Sequence, residues 1–191
     1  MKILGFIASP RKEGNTAWMV NKMLEGAKEQ GAETQSWYFS DLDIKPCKGC
    51  LGCVTGESCL ITDDMQKVYS ALEQAEALIL GSPVYMGQMS AQAKIFTDRL
   101  FAQITPRFSP HFEEKNAGKK LVLAFTQGNP DSSMFQLYFD YTKSMFSLLE
   151  FDVKGVYVVA GTRNEPAPEK KDLPAVMKNV GSSLAAEGFP E

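Results

Sequence analysis

At 191 residues and 44% hydrophobic content, the chain is sized for a single domain, residues 1–191, with a sizeable core. A net charge of −3 and the lack of any Lys/Arg block exclude nucleic acid or an anionic membrane as the main partner, leaving small molecules or proteins. No stretch approaches the length that crosses a bilayer, and Met1–Ala8 lacks the parts of a signal peptide, so a reducing, cytoplasmic setting is expected.

Lys2 to Ala8 is a continuous apolar run of strand length ending in Ser9-Pro10, and from Asn15 the residues Val20, Met23, Leu24 and Ala27 recur at helical spacing. Thr34 to Phe39 is a more polar strand with two aromatics, suited to a sheet edge. Every cysteine in the chain follows directly, between Cys47 and Cys59. Thr62 is placed to cap the next helix, with Asp63 and Asp64 at its positive end and Met65, Val68, Tyr69 and Leu72 on its buried face. Ala77 to Ser82 is the third strand, and a helix follows from about Ser90 with Ala93, Phe96 and Leu100 inward. Asp98-Arg99 near its end reads as a charge pair.

The pattern lapses over residues 102–118, where Pro106, Pro110 and Gly118 make a long irregular connection. It holds the only histidine, His111, which has no sequence partner and reads as a surface residue. Leu121 to Thr126 is the fourth strand, Asp131 to Ser133 can cap a helix carrying Phe135, Tyr138, Phe139, Phe146 and Leu149, and Val153 to Ala160 is the fifth strand. A last helix runs from about Asp172 with Leu173, Val176, Val180 and Leu184 at helical spacing, and the final residues are expected to fray.

Five strands alternating with five helices predict a doubly wound α/β fold, a parallel sheet covered on both faces by right-handed crossovers. Ligands bind such sheets beyond the carboxyl ends of the strands, at the switch point. The loops expected there are Ser9–Thr16, Cys47–Cys59, Pro83–Met89 and Gln127–Ser133.

Cys47, Cys50, Cys53 and Cys59 are spaced CxxCxxCx5C, and Gly49, Gly52 and Gly56 let the backbone fold tightly between them. Two successive CxxC steps let neighbouring thiolates face one centre, and a fourth cysteine closes the set, which is how a loop wraps a cubic iron–sulfur cluster. Structural zinc also takes four cysteines, but usually as two CxxC knuckles separated by a longer span. Disulfides do not suit a reducing compartment. Four free thiols with no metal stay open as a further reading, since spacing shows capacity and not occupancy.

The segment Ser9-Pro10-Arg11-Lys12-Glu13-Gly14-Asn15-Thr16 offers two hydroxyls, an amide, an arginine and the unpaired N–H groups of a helix start. These suit a terminal phosphate, because a helix start carries roughly half a positive charge. Neither GxxxxGK[ST] nor GxGxxG is present, which argues against a nucleoside triphosphatase and an independent dinucleotide domain. An ordinary capped turn is the competing reading, since Ser, Gly, Asn and Thr belong in turns. Ser82-Pro83-Val84-Tyr85-Met86-Gly87-Gln88-Met89 combines a stiff proline, an aromatic and a glycine that can wall a flat ring system. Together the two loops call for a ligand with a phosphate at one end and a planar heterocycle at the other.

The Ser9-Pro-Arg run with Gly14-Asn-Thr16, the Ser82-Pro-Val-Tyr85 turn and Asp63-Asp64-Met65 resemble the flavodoxin-like NADPH-dependent FMN reductase superfamily, and the compact cysteine run narrows this to the iron–sulfur flavoprotein family. The resemblance covers the whole chain and implies a flavodoxin-like, doubly wound, five-stranded parallel sheet. It implies FMN, with Ser9, Arg11, Asn15 and Thr16 on the phosphate and Pro83, Val84, Tyr85, Met86 and Gly87 around the isoalloxazine. It also implies a [4Fe–4S] cluster on Cys47, Cys50, Cys53 and Cys59, and a homo-oligomer, dimer or tetramer. Thr126-Gln127-Gly128-Asn129 lies where the family closes over the flavin. A flavin handles one or two electrons and a cluster one, so the expected role is electron transfer from a ferredoxin-like donor to a small oxidant or carrier. Two alternatives accompany it: a cluster-free NAD(P)H-dependent flavin or quinone reductase, and a non-catalytic binding module stapled by zinc.

Overall fold

In the computed structural model, which describes residues 1–56, 58–103 and 115–186, the apolar run Lys2–Ile7 forms strand β1 at the heart of the sheet. The other strands are β2 (Glu33–Tyr38), β3 (Ala77–Tyr85), β4 (Gln88–Met89), β5 (Lys120–Thr126) and β6 (Asp152–Val159). Five of them lie parallel in the order β2-β1-β3-β5-β6, and the two-residue β4 pairs antiparallel with β3. The chain steps outward from β1 to β2 on one side and to β3 on the other, so the switch point lies between β1 and β3. The polar β2 takes the sheet edge, as its composition predicts.

Because side chains alternate along a strand, β1 sends Ile3 and Ile7 to one core and Leu4 and Phe6 to the other. Helices α1 (Asn15–Glu29) and α6 (Leu173–Ala185) cover the first face. On the second face lie α3 (Met65–Gln74), α4 (Ala91–Arg99) and α5 (Gln136–Leu148), with α2 (Gly52–Thr55) a single turn inside the cysteine segment. Phe6, Phe39 and Phe96 form a tilted aromatic trio, with centroids 5.0 to 5.7 Å apart, that joins β1, the chain after β2, and α4.

Several expectations shift. Pro83 to Tyr85, expected in a loop, continue β3: Pro83 still pairs with Thr126 of β5, and Val84 and Tyr85 run beyond the parallel sheet because they find partners in Met89 and Gln88. Met86 (φ 49°) and Gly87 (φ 81°) turn the hairpin, both central residues being left-handed, which matches the twist of the paired strands. Thr62 does not cap α3; the Asp63 carboxylate accepts the Met65 N–H at 3.0 Å, and the helix starts three residues later. Asp131 and Ser133 close a local turn on each other, so α5 begins only at Gln136. In α6, Val176 is 45% exposed and Met177 takes its inward place, because the buried face is centred on Gly181. Residues 104–114, including Pro106, Pro110 and His111, lie outside the described residues, as do 187–191. Among the described residues no helix is long and apolar enough to cross a membrane.

Glycines let α1 and α6 approach backbone to backbone. A Cβ on Gly26 would meet the Lys178 carbonyl, and one on Gly181 would meet the Met23 carbonyl. The Ser182 hydroxyl donates to the Gly26 carbonyl at 3.1 Å, and Lys178 bridges Glu25 and Glu29 across the same seam. Backbone cannot yield as a side chain can, so Gly181→Ala is expected to cost about 1–3 kcal/mol, the range for overpacking a close-packed contact. Urea unfolding checks this, with the exposed Ser144→Ala as a near-neutral reference.

Candidate functional site

Strand β1 ends under the start of α1, and the turn between them is self-bonded. The Ser9 hydroxyl accepts the Arg11 N–H at 3.1 Å, and a Cβ on Gly14 would press the Arg11 carbonyl at 3.2 Å. Gly14 stands at the N-cap with no side chain to offer, so the first-turn N–H groups of α1 receive no side-chain cap. The end of a fifteen-residue helix is thus left open toward an anion.

Beside it, the Thr16 and Thr126 hydroxyls share a buried 2.6 Å hydrogen bond that ties the start of α1 to the end of β5. The Asn15 side-chain oxygen accepts the Ala167 N–H at 2.8 Å, drawing in the segment after β6. Thr162, in that segment, donates from both its N–H and its hydroxyl to the Gln127 carbonyl, at 3.0 Å each. The hairpin is fixed at its base by the Ser82 hydroxyl, which accepts the Ser90 N–H at 2.9 Å, and on its return strand by the Tyr138 hydroxyl, which accepts the Met89 N–H at 3.0 Å.

The result is a cleft of about 120 Å³ in which Ser9, Arg11, Asn15, Thr16, Pro83, Val84 and Tyr85 meet Gly14, Thr126, Gly128 and Thr162. Met86 and Gly87 do not line it; they form the hairpin tip, where Met86 is fully exposed. Thr162 was not singled out in the sequence. Its signal is positional, since it follows β6 and so falls at the carboxyl edge of the sheet with the other loops. The donor set of hydroxyls, a guanidinium and uncapped N–H groups fits a phosphate.

The cysteine segment occupies the other side of the same edge. Cys47, Cys50, Cys53 and Cys59 are free thiols that all line one cavity of about 440 Å³, together with Ile61, Thr97, Phe101 and Met145. Gly49 (φ 62°) and Leu51 (φ 57°) bend the loop, and Gly52 brings α2 against Leu60. The Gly49 N–H reaches the Cys47 sulfur at 3.4 Å. Among the described residues, no three His, Cys, Asp or Glu side chains converge as the ligands of one metal ion. Burial pushes the Cys53 thiol up, its own backbone N–H pulls it down, and Cys59, Cys47 and Cys50 push it up again. A site that gathers four thiols suits a cationic centre, which deprotonates the thiols that coordinate it.

What holds this segment is not the Asp98–Arg99 pair. Asp98 bonds Lys94 on the surface at 2.6 Å, whereas Arg99 is among the largest fully buried side chains and pairs with Asp63, their side chains 1% and 0% exposed. Burial pushes the Asp63 carboxyl up, but the Arg99 guanidinium and the N–H groups of Lys45 and Met65 outweigh it and hold it below the ordinary carboxylate range. Arg99 closes α4, and Ser90 caps the same helix through the Ala93 N–H while donating to the Ala8 carbonyl at 2.6 Å. One helix therefore runs from the cleft to the cysteine segment.

Comparison with known proteins agrees with this layout. Residues 1–162 match the family described as NADPH-dependent FMN reductase. The chain is 33% identical over 188 residues to an iron–sulfur flavoprotein of Methanocaldococcus jannaschii, covering 97% of this chain and 96% of that one. Among solved structures it is similar in fold to an NAD(P)H:quinone oxidoreductase from Methanothermobacter marburgensis, with a TM-score of 0.75 at 12% identity over 98% of each chain. It also resembles the flavodoxin of Megasphaera elsdenii, with a TM-score of 0.57 at 18% identity over 97% of this chain and 98% of that one. The sheet order is that of a flavodoxin-like fold. With the match spanning all but the end of the sequence, the chain belongs to the NADPH-dependent FMN reductase family of flavin-dependent oxidoreductases.

Proposed function

We propose that the protein is an FMN-containing electron-transfer flavoprotein that also carries a [4Fe–4S] cluster, taking electrons from a ferredoxin-like donor and passing them to a small oxidant or carrier. The observation that carries this reading is that all four cysteines line a single cavity at the same sheet edge as the phosphate-fitting cleft. Near-full-length similarity to an archaeal iron–sulfur flavoprotein supports it. When bound, the flavin supplies one- and two-electron chemistry and the cluster one-electron chemistry.

The chain's own residues bind and orient. Ser9, Arg11, Asn15 and Thr16 would hold the phosphate, with Arg11 neutralising charge that the helix start only partly offsets. Pro83, Val84 and Tyr85 would form the ring wall, and Met86 and Gly87 the exposed tip above it. Cys47, Cys50, Cys53 and Cys59 would ligate the cluster, with the Gly49 N–H placed to donate to the Cys47 sulfur. Leu137, Tyr141 and Leu148 along α5, and Met134 just before it, leave apolar side chains exposed, which suits the homo-oligomer this reading includes.

A second reading, a cluster-free NAD(P)H-dependent flavin or quinone reductase, is favoured by one observation: the thiols do not converge as they stand. Protein purified without oxygen decides between the two. Four irons and four acid-labile sulfides per flavin, with broad absorbance bleached by reductant, are expected; flavin without iron after anaerobic reconstitution overturns the cluster and leaves the reductase.

Three variants test the parts of this reading. Cys50→Ser should abolish the iron content and keep FMN, whereas Arg11→Ala should weaken FMN roughly tenfold, about 1.4 kcal/mol, and leave iron unchanged. Paired iron and flavin assays check this, and loss of both groups in both variants would contradict separate sites. Leu137→Glu should shift sedimentation toward a smaller particle at equal flavin content.

A further inference from the structure

The stems of the cysteine segment are closed by one buried charge pair. Arg99 Nη1 donates to Asp63 Oδ2 at 2.6 Å and to the Lys45 carbonyl at 2.8 Å, and Nη2 donates to Asp63 Oδ1 at 3.2 Å. Asp63 Oδ2 in turn accepts the Lys45 N–H at 2.9 Å. Both backbone groups of Lys45, two residues before Cys47, are thus captured, the carbonyl by the cation and the N–H by the anion. One residue on from Asp63 and two back from Lys45, the Asp64 carboxylate accepts the Asp43 N–H at 2.9 Å and the Asp64 N–H donates to the Asp43 carbonyl at 3.2 Å. On the other side of the guanidinium, Nη2 lies 3.5 Å from the Ile61 carbonyl, two residues after Cys59.

Such a pair is a costly way to stabilise a fold. Removing two charges from water opposes their attraction, and well-packed neutral replacements are often as stable or more so. What a neutral pair cannot do is hold the backbone of both stems by charge-assisted hydrogen bonds. Resting on the reading of Cys47, Cys50, Cys53 and Cys59 as cluster ligands, we propose that Arg99 and Asp63 are positioning residues that clamp the two stems of the cysteine segment, so that its four thiols can close on the cluster when it binds.

The test compares the wild-type chain with Arg99→Met/Asp63→Asn, which removes both charges together and leaves neither buried alone. Both are purified without oxygen with FMN bound and reconstituted with iron and sulfide. The double variant is expected to keep its flavin and its urea midpoint and to lose at least fivefold in iron per flavin. Wild-type iron loading in the double variant overturns the clamp while leaving the cluster reading standing. A wild-type chain that takes up no iron overturns the cluster reading and the clamp with it. Should the double variant not fold, Arg99→Lys keeps the charge and loses the planar fork. It is expected to retain flavin, load iron incompletely and exchange the Lys45 amide faster, and full loading with a protected amide overturns the proposal.

Discussion

A parallel sheet imposes one constraint from which the rest of this molecule follows: each strand must be followed by a crossover, so all of its strands end at the same edge. The five-strand order places β1 and β3 side by side at the switch point, and the loops leaving them diverge there. Everything with chemistry lies along that edge. The open start of α1, the hairpin that prolongs β3, the segments after β5 and β6, and the cysteine segment after β2 are brought together by topology alone, although they are far apart in sequence. The apolar side chains that make this possible carry no functional signature. They set where the loops emerge, and the loops do the rest.

The two regions differ in how they are held. Around the cleft the chain uses short, neutral hydrogen bonds: the Thr16–Thr126 hydroxyl pair, Asn15 to the Ala167 N–H, Thr162 to the Gln127 carbonyl. These leave the cleft polar and the α1 end uncapped, the condition under which an anion is welcome. The cysteine segment has almost no regular structure of its own and only one short helical turn, so its shape comes from its stems. There the chain uses a fully buried ion pair, which neutral hydroxyls could not replace because two backbone carbonyls and two N–H groups converge on it.

Much of this was legible in the sequence because it rests on periodicity. Apolar runs located four of the five parallel strands, and two aromatics in a polar stretch the fifth, to within a residue or two at most ends, and Ser90 announced the start of α4. The cysteine spacing located the second region without any structural help. What the sequence hid were long-range partners. Asp63 looked like a helix-start carboxylate and Arg99 like half of a neighbouring charge pair, because adjacency suggests Asp98 and nothing in the order of residues points across 36 positions to Asp63. Pro83 to Tyr85 read as loop because proline and glycine usually mark one, yet β-formers on either side of a tight turn prolonged the strand instead. Thr162 carries no motif and becomes visible only once β6 is placed.

Helix α4 spans nine residues, about 13.5 Å at 1.5 Å per residue, with a strand-end hairpin before its first residue and the stem-closing arginine as its last. It works as a ruler with a phase. Loops elsewhere on the carboxyl edge can gain or lose residues at small entropic cost. One residue added inside α4 would lengthen it by little yet swing Arg99 about 100° around the axis, away from both stems. The chain's tolerance of insertions thus has an address: the loops can change length, while the residue count between Ser90 and Arg99 is fixed by helical geometry.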